Sequence, residues 1–199
     1  MNIEEKGEML HVNLMPGEYY ATTRLATIRT LLGSCVSACL YDPETNVIGM
    51  NHFLLSNRRY ARYLPTVMSE AGRYGIHAME LLINEMLKIG ARRKNLQAKA
   101  FGGGSIYLQS EARDNFFCIG DINSRFIREF LENDGIPLVA NDLGGEYARI
   151  IHFTNADFSV RVKRIGKSPA TALAVQERQY WIRTIEAQEK ASARVEVWE

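Results

Sequence analysis

Two of the three cysteines and one of the four histidines of this 199-residue chain crowd into one short region. "RTLLGSCVSACLYD" (29–42) carries Cys35 and Cys39, and "GMNHFLLSN" (49–57) carries His52. A thiol beside an imidazole can attack a carbonyl carbon, because the ring withdraws the thiol proton and later returns it to a leaving amine. Cys35 is distinguished by its place. It directly follows Gly33 and Ser34 at the start of an apolar, strand-like run, where glycine permits tight backbone geometry and nearby amide N–H groups favour a thiolate and an oxyanion. The competing reading makes Cys35 core filler and His52 a hydrogen-bonded core histidine, since free cysteine is among the most buried residue types. His11, His77 and His152 have no comparable neighbour and read as structural.

Other chemistries fit these residues less well. Cys35, Cys39 and His52 are soft ligands, but structural zinc sites want two tight ligand pairs, and Cys118 stands alone. On a strand Cys35 and Cys39 share a face about 13 Å apart, at ~3.3 Å per residue, too far for one ion. No metal and no cofactor are expected. "RIGKSPA" (164–170) contains Gly-Lys-Ser, yet the position five before Gly166 is Arg161 and Pro169 follows, so the phosphate-loop pattern fails. "FGGGS" (101–105) lacks the later glycine and the acidic partner of a dinucleotide site. Its Gly102, Gly103 and Gly104 follow a strand, and they allow either a turn or the close approach of a substrate chain.

The elements that must position these groups follow from periodicity. "LHVNLM" alternates weakly before a Pro16-Gly17 turn, and "VSACLYD" (36–42) and "VIGMNHFLL" (47–55) read as strands joined through "PETN" as a hairpin. "SNRRYARYLPT" reads as a basic surface loop. From about Met68 to Ile89 the period becomes helical, with Ile76, Met79, Leu82, Ile83, Met86 and Leu87 on one stripe and Gly90 as terminator. "LQAKAFGG" is a strand entering the glycine loop. A second helix is expected over about 121–133 with Phe126, Ile127, Phe130 and Leu131 inward, then strands "IPLVAND", "YARIIHF" and "FSVRVKRI". Strands before, between and after two helices predict a single-domain α/β sandwich of mixed, largely antiparallel sheet with packed helices. The domain is expected over 1–167, and 168–199 as a C-terminal helical or partly disordered tail.

Composition narrows the function classes. Lys and Arg number 24 against 23 Asp and Glu, so the basic excess that a general nucleic-acid grip requires is missing. No apolar run approaches the roughly 18 residues of a spanning helix, and "MNIEEKGEML" lacks a secretory pattern. An odd cysteine count at irregular spacing argues against a disulfide framework and for a cytoplasmic setting with reduced thiols.

"TLLGSCVSACLYDP", "GMNHFLL", "RYGIHAMELLINEMLKIGA", "KAFGGGS", "IGDIN…FIREFLENDGIPLVANDLGGEYARIIHF" and "VRVKRI" together resemble the chemoreceptor glutamine deamidases, the CheD family. The resemblance runs in order from about Pro16 to Ile165. It implies an enzyme that hydrolyses selected glutamine amides of bacterial chemoreceptors to glutamate, releasing ammonia, with no cofactor. It implies Cys35 as nucleophile and His52 as base, and the backbone of Gly33 and Ser34 is the expected support for an oxyanion. A threonine ahead of the "GSC" block completes the family's triad; Thr30 is nearest, and Thr27 is the other candidate. It further implies a fold like the catalytic domain of the cytotoxic necrotising factor toxins, receptor cytoplasmic helices as protein substrate, and, in some members, a CheC-type phosphatase as partner. Contact with the membrane is expected only through the receptor. Two alternatives stand beside this reading: a non-catalytic chemotaxis adaptor, and a methylesterase acting on receptor methylglutamates.

Overall fold

A computed structural model of the chain describes residues 1–55, 70–105, 119–165 and 179–180. Among these residues ten strands and two long helices form three layers. One sheet has the order β1-β2-β4-β9-β10, from Asn2–Lys6, Met9–Asn13, Ala26–Leu32, Ala148–Thr154 and Val160–Ile165. The other has the order β3-β6-β5-β7-β8, from Tyr19–Thr22, Val47–Asn51, Val36–Asp42, Gln97–Gly102 and Leu138–Leu143. Among the described residues only the β2–β4 and β7–β8 pairs are parallel, which is the mixed, largely antiparallel α/β arrangement that the order of elements predicts.

Both helices lie on the second sheet. α1 (Glu70–Lys88) covers β3 and β6, and α2 (Ile119–Asn133) covers β5, β7 and β8. The stripe read from the sequence is the buried one: Met79, Leu82, Ile83 and Met86 of α1 join Phe126, Ile127, Phe130 and Leu131 of α2 over Val36, Ala38 and Leu40. Gly90, with φ 108, sits just past the end of α1, a backbone conformation natural to glycine. A second core fills the space between the sheets, with Leu10, Val12, Ile28 and Leu32 facing Cys35, Cys39, Ile48 and Met50. β5 is therefore buried on both faces. This explains its continuous apolar run, where a half-exposed strand would alternate.

The expected strands from 36, 97, 138, 148 and 160 are present within a residue or two of their predicted bounds. The second hairpin strand ends as a regular strand at Asn51, short of the expected Leu55. β1, β3 and β4 were not predicted. β1 is exposed along its whole length and has no apolar face to announce it. The loop at 56–66, Cys118, and nearly all of the tail at 168–199 lie outside the described residues.

Candidate active site

The segments that carry the thiol and the imidazole are joined by one antiparallel pair. The β5–β6 register runs from Asp42↔Val47 to Cys39↔Met50 and resumes in an isolated bridge, Val36↔Phe53. That register sets Cys35 opposite Leu54 and His52 opposite Ser37. Cys35 and His52 are thus diagonal neighbours on one face, a relation with about 7–8 Å between Cα atoms in a regular ladder, within reach of side chains pointing the same way.

Between the two stretches of ladder, Asn51 intervenes. Its buried side chain accepts the Ala38 N–H through Oδ1 at 2.9 Å and donates to the Ala78 carbonyl of α1 at 3.3 Å. The side chain replaces a rung of the ladder, so His52 belongs to a locally reshaped strand. Its own backbone is held from the other side, where its N–H donates to Glu18 O at 2.9 Å and its carbonyl accepts the Gly17 N–H at 2.7 Å.

The ring is held by the opposite sheet. Thr30 on β4 lies 2.8 Å from His52 Nδ1 and donates its hydroxyl to the Leu14 carbonyl at 2.9 Å. A hydroxyl has one hydrogen, and a carbonyl can only accept. With that hydrogen on Leu14 O, the Thr30 oxygen accepts Nδ1–H, and Nε2 carries the open lone pair. Nε2 is buried with no hydrogen-bond partner among the described residues. Burial also pulls the His52 pKa down to about 3, so the ring rests neutral. A neutral imidazole with a fixed tautomer and an unengaged Nε2 can accept a proton at that atom.

Thr27 takes no part. It is an odd number of residues from Thr30, hence on the other face of β4, where its Oγ1 meets Met9 Sδ at 3.6 Å. Of the two threonine candidates, Thr30 is the one that reaches the ring.

Gly33 and Ser34 are buried beside Cys35, and the glycine loop grips this turn through the main chain. Gly103 N–H donates to Cys35 O at 2.8 Å and Gly104 N–H to Gly33 O at 2.7 Å. Gly102 has φ 114, and a β-carbon there would collide with the Cys35 carbonyl oxygen. Gly102, Gly103 and Gly104 are all buried, packed on the backbone that carries the thiol.

One clamp was not anticipated. Asn123 of α2 accepts the Leu55 N–H at 2.9 Å and donates to Ser34 O at 2.8 Å, tying together the two chains on either side of the Cys35–Leu54 pair. The signal was in the sequence: Asn123 lies on the apolar stripe of Phe126, Ile127 and Phe130, and a polar residue there needs a buried partner. Thr30 carries the same mark, standing among Ala26, Ile28 and Leu32 on the buried face of β4. Among the described residues, no three His, Cys, Asp or Glu side chains converge on a point that could hold a metal ion.

Two comparisons bear on this geometry. The family model described as "CheD chemotactic sensory transduction" matches residues 63–164. A protein of Geobacter sulfurreducens named probable chemoreceptor glutamine deamidase CheD 1 is 51% identical over 187 residues, 94% of this chain and 93% of its own length. The chain belongs to the CheD family. A Shewanella oneidensis member, probable chemoreceptor glutamine deamidase CheD 2, is 45% identical over 172 residues, covering 85% of this chain and 84% of its own. A Bordetella parapertussis member is 39% identical over 188 residues, 93% of this chain and 85% of its own. Family likeness is not confined to Pro16–Ile165. An alignment of 187 residues within 199 must take in most of the stretch after Lys167. No helix among the described residues is long and apolar enough to cross a membrane.

Proposed function

We propose that this chain is a protein-glutamine deamidase that converts selected glutamine side chains of bacterial chemoreceptors to glutamate and releases ammonia, working in the cytoplasm. The observation that carries the reading is the Thr30–His52 pair, which leaves a neutral Nε2 open on the face that Cys35 shares. Membership of a family whose curated members are named for this reaction supports it.

An amide has a poor leaving group, so the reaction needs both a nucleophile and an acid. A thiolate–imidazolium pair at rest would be costly at this depth, because burial disfavours the charged ring. The proton therefore passes from Sγ to Nε2 as Sγ bonds to the carboxamide carbon, and the oxyanion forms near the N–H groups of the Gly33–Ser34–Cys35 turn. Nε2–H then protonates the amide nitrogen, the C–N bond breaks, and ammonia leaves a thioester. Water gives a proton to the again neutral Nε2 and attacks the thioester; the C–S bond breaks to release glutamate, and the proton returns to Sγ. Thr30 keeps Nδ1–H satisfied throughout, which strengthens Nε2 as a base and orients the ring.

The deamidase unit is proposed over 1–167. Receptor cytoplasmic helices are the substrate, and a CheC-type phosphatase is a candidate partner through the family resemblance. Incubation of a receptor cytoplasmic fragment with the protein, followed by peptide mass spectrometry, tests the reaction. Glutamines gaining the amide-to-acid mass difference, with matching ammonia and none from Cys35→Ala, are expected. Loss of a methylene mass from methylglutamate would instead make it an esterase. No covalent change, with the receptor still bound, would make it an adaptor.

A further inference from the structure

The candidate dyad is sealed in this structure: Cys35 is 0% and His52 2% exposed. A glutamine side chain on a receptor helix cannot touch a sulfur with no accessible surface, so a covering group has to leave before substrate enters.

Tyr180 is one group packed beside this pair. It lies well beyond Ile165, the last residue of β10, yet it is half buried against the inter-sheet core that includes Cys35. Its hydroxyl end rests on Gly17 so closely that a β-carbon at 17 would collide with it. Gly17 has φ 84 and gives its N–H to the His52 carbonyl. The phenol therefore sits where the 16–18 turn, the His52 backbone and the nucleophile converge. Burial first, and then the neighbouring Cys35 and Glu18, raise the phenol pKa, so the group is a neutral ring with a polar tip. An apolar stem ending in a neutral hydrogen-bonding head is also the make-up of a glutamine side chain.

We propose that Tyr180 is a displaceable plug: its phenol fills the place that the substrate glutamine side chain must take, and receptor binding competes with it for access to Cys35. The proposal rests on the deamidase reading of the site, but its first test does not. Full-length wild type, Tyr180→Ala and Tyr180→Phe are treated with iodoacetamide under native conditions, and alkylation of each cysteine is followed by peptide mass spectrometry. Labelling scales with the fraction of molecules in the open state, so Tyr180→Ala is expected to speed Cys35 alkylation by about tenfold or more, while Tyr180→Phe, which keeps the ring, stays within about threefold of wild type. Cys39 is the control and stays slow in all three. Unchanged Cys35 labelling in Tyr180→Ala overturns the proposal. So does a parallel rise at Cys39, which would report general loosening. With a receptor fragment, Tyr180→Ala is expected to lower KM with kcat preserved. A loss of kcat shared by both variants would make the hydroxyl part of the chemistry and overturn the plug. Faster Cys35 labelling in a protein that deamidates nothing would uphold the plug and sink the deamidase reading.

Discussion

Cys35 and Cys39 make a natural experiment. They point to the same side of one strand, both are fully buried, and both belong to the inter-sheet core. Cys39 faces Met50, and burial pushes its thiol up to about 12, so it stays protonated and inert. Cys35 lies past the point where the β5–β6 ladder is interrupted by Asn51, diagonal to an imidazole whose tautomer is fixed from the opposite sheet. Burial alone does not separate the two thiols. In the proposed reading, the partner across the strand does.

The sharpest break of that comparison is reciprocal. Cys35→Ala is expected to reduce deamidation by roughly 10⁴-fold or more, as loss of a nucleophile does in other covalent enzymes. Cys39→Ala should leave kcat unchanged and cost about 1 kcal/mol in a denaturant titration. Equal loss from both would mean that the two ends of β5 do not differ.

Removing the base comes next. His52→Ala is expected to lower kcat/KM by about 10²–10⁴-fold with the fold intact by circular dichroism. Thr30→Val keeps the shape and deletes the hydroxyl; a loss of about 10–100-fold is expected, by analogy with outer-sphere partners of functional histidines. The same change strands the buried Leu14 carbonyl and Nδ1–H, and Thr30→Ser should restore most of the activity. If Thr27→Val were the damaging one instead, the ring contact would not be functional.

Asn123 tests the frame around the comparison rather than the chemistry. Asn123→Ala removes the acceptor of the buried Leu55 N–H, at about 1–3 kcal/mol, and also the hydrogen bond to Ser34 O. A clear fall in melting temperature is expected, along with a larger loss of activity in Asn123→Ala than in Cys39→Ala.

The smallest effect is a pH slope. The unfolded His52 takes a proton near pH 6.5 and the folded one only near 3, so between those values the unfolded state holds more protons. Stability is therefore expected to fall as pH drops from 6.5 toward 3. Urea titrations at pH 6.5 and 4.5 should show a smaller drop for His52→Leu than for wild type.

Much of the frame was legible locally. The run 36–42 reads as a strand and is β5 to the residue, and the 3.6-residue stripe of α1 is the stripe that is buried. Cys35 and His52 could be paired because a short hairpin links their strands, so the register between them is set by near neighbours. β4 was not predicted although Ala26, Ile28, Thr30 and Leu32 share its buried face, because alanine and threonine dilute the apolar alternation. Asn123 was not singled out, because a polar residue on a helix stripe does not by itself name its partner.

By itself the sequence determined the alternating and helical periods, the hairpin that carries the thiol and the imidazole, and the family to which the chain belongs. Those properties depend on residues close along the chain or on motifs read in order. The tertiary structure alone decided that Thr30 and not Thr27 meets the ring, that Asn123 ties Ser34 to Leu55, and that Tyr180 rests on Gly17. Each of these contacts joins elements far apart in sequence, and no local pattern specifies which sheets and helices face each other. Only packing two sheets and two helices around shared cores does so.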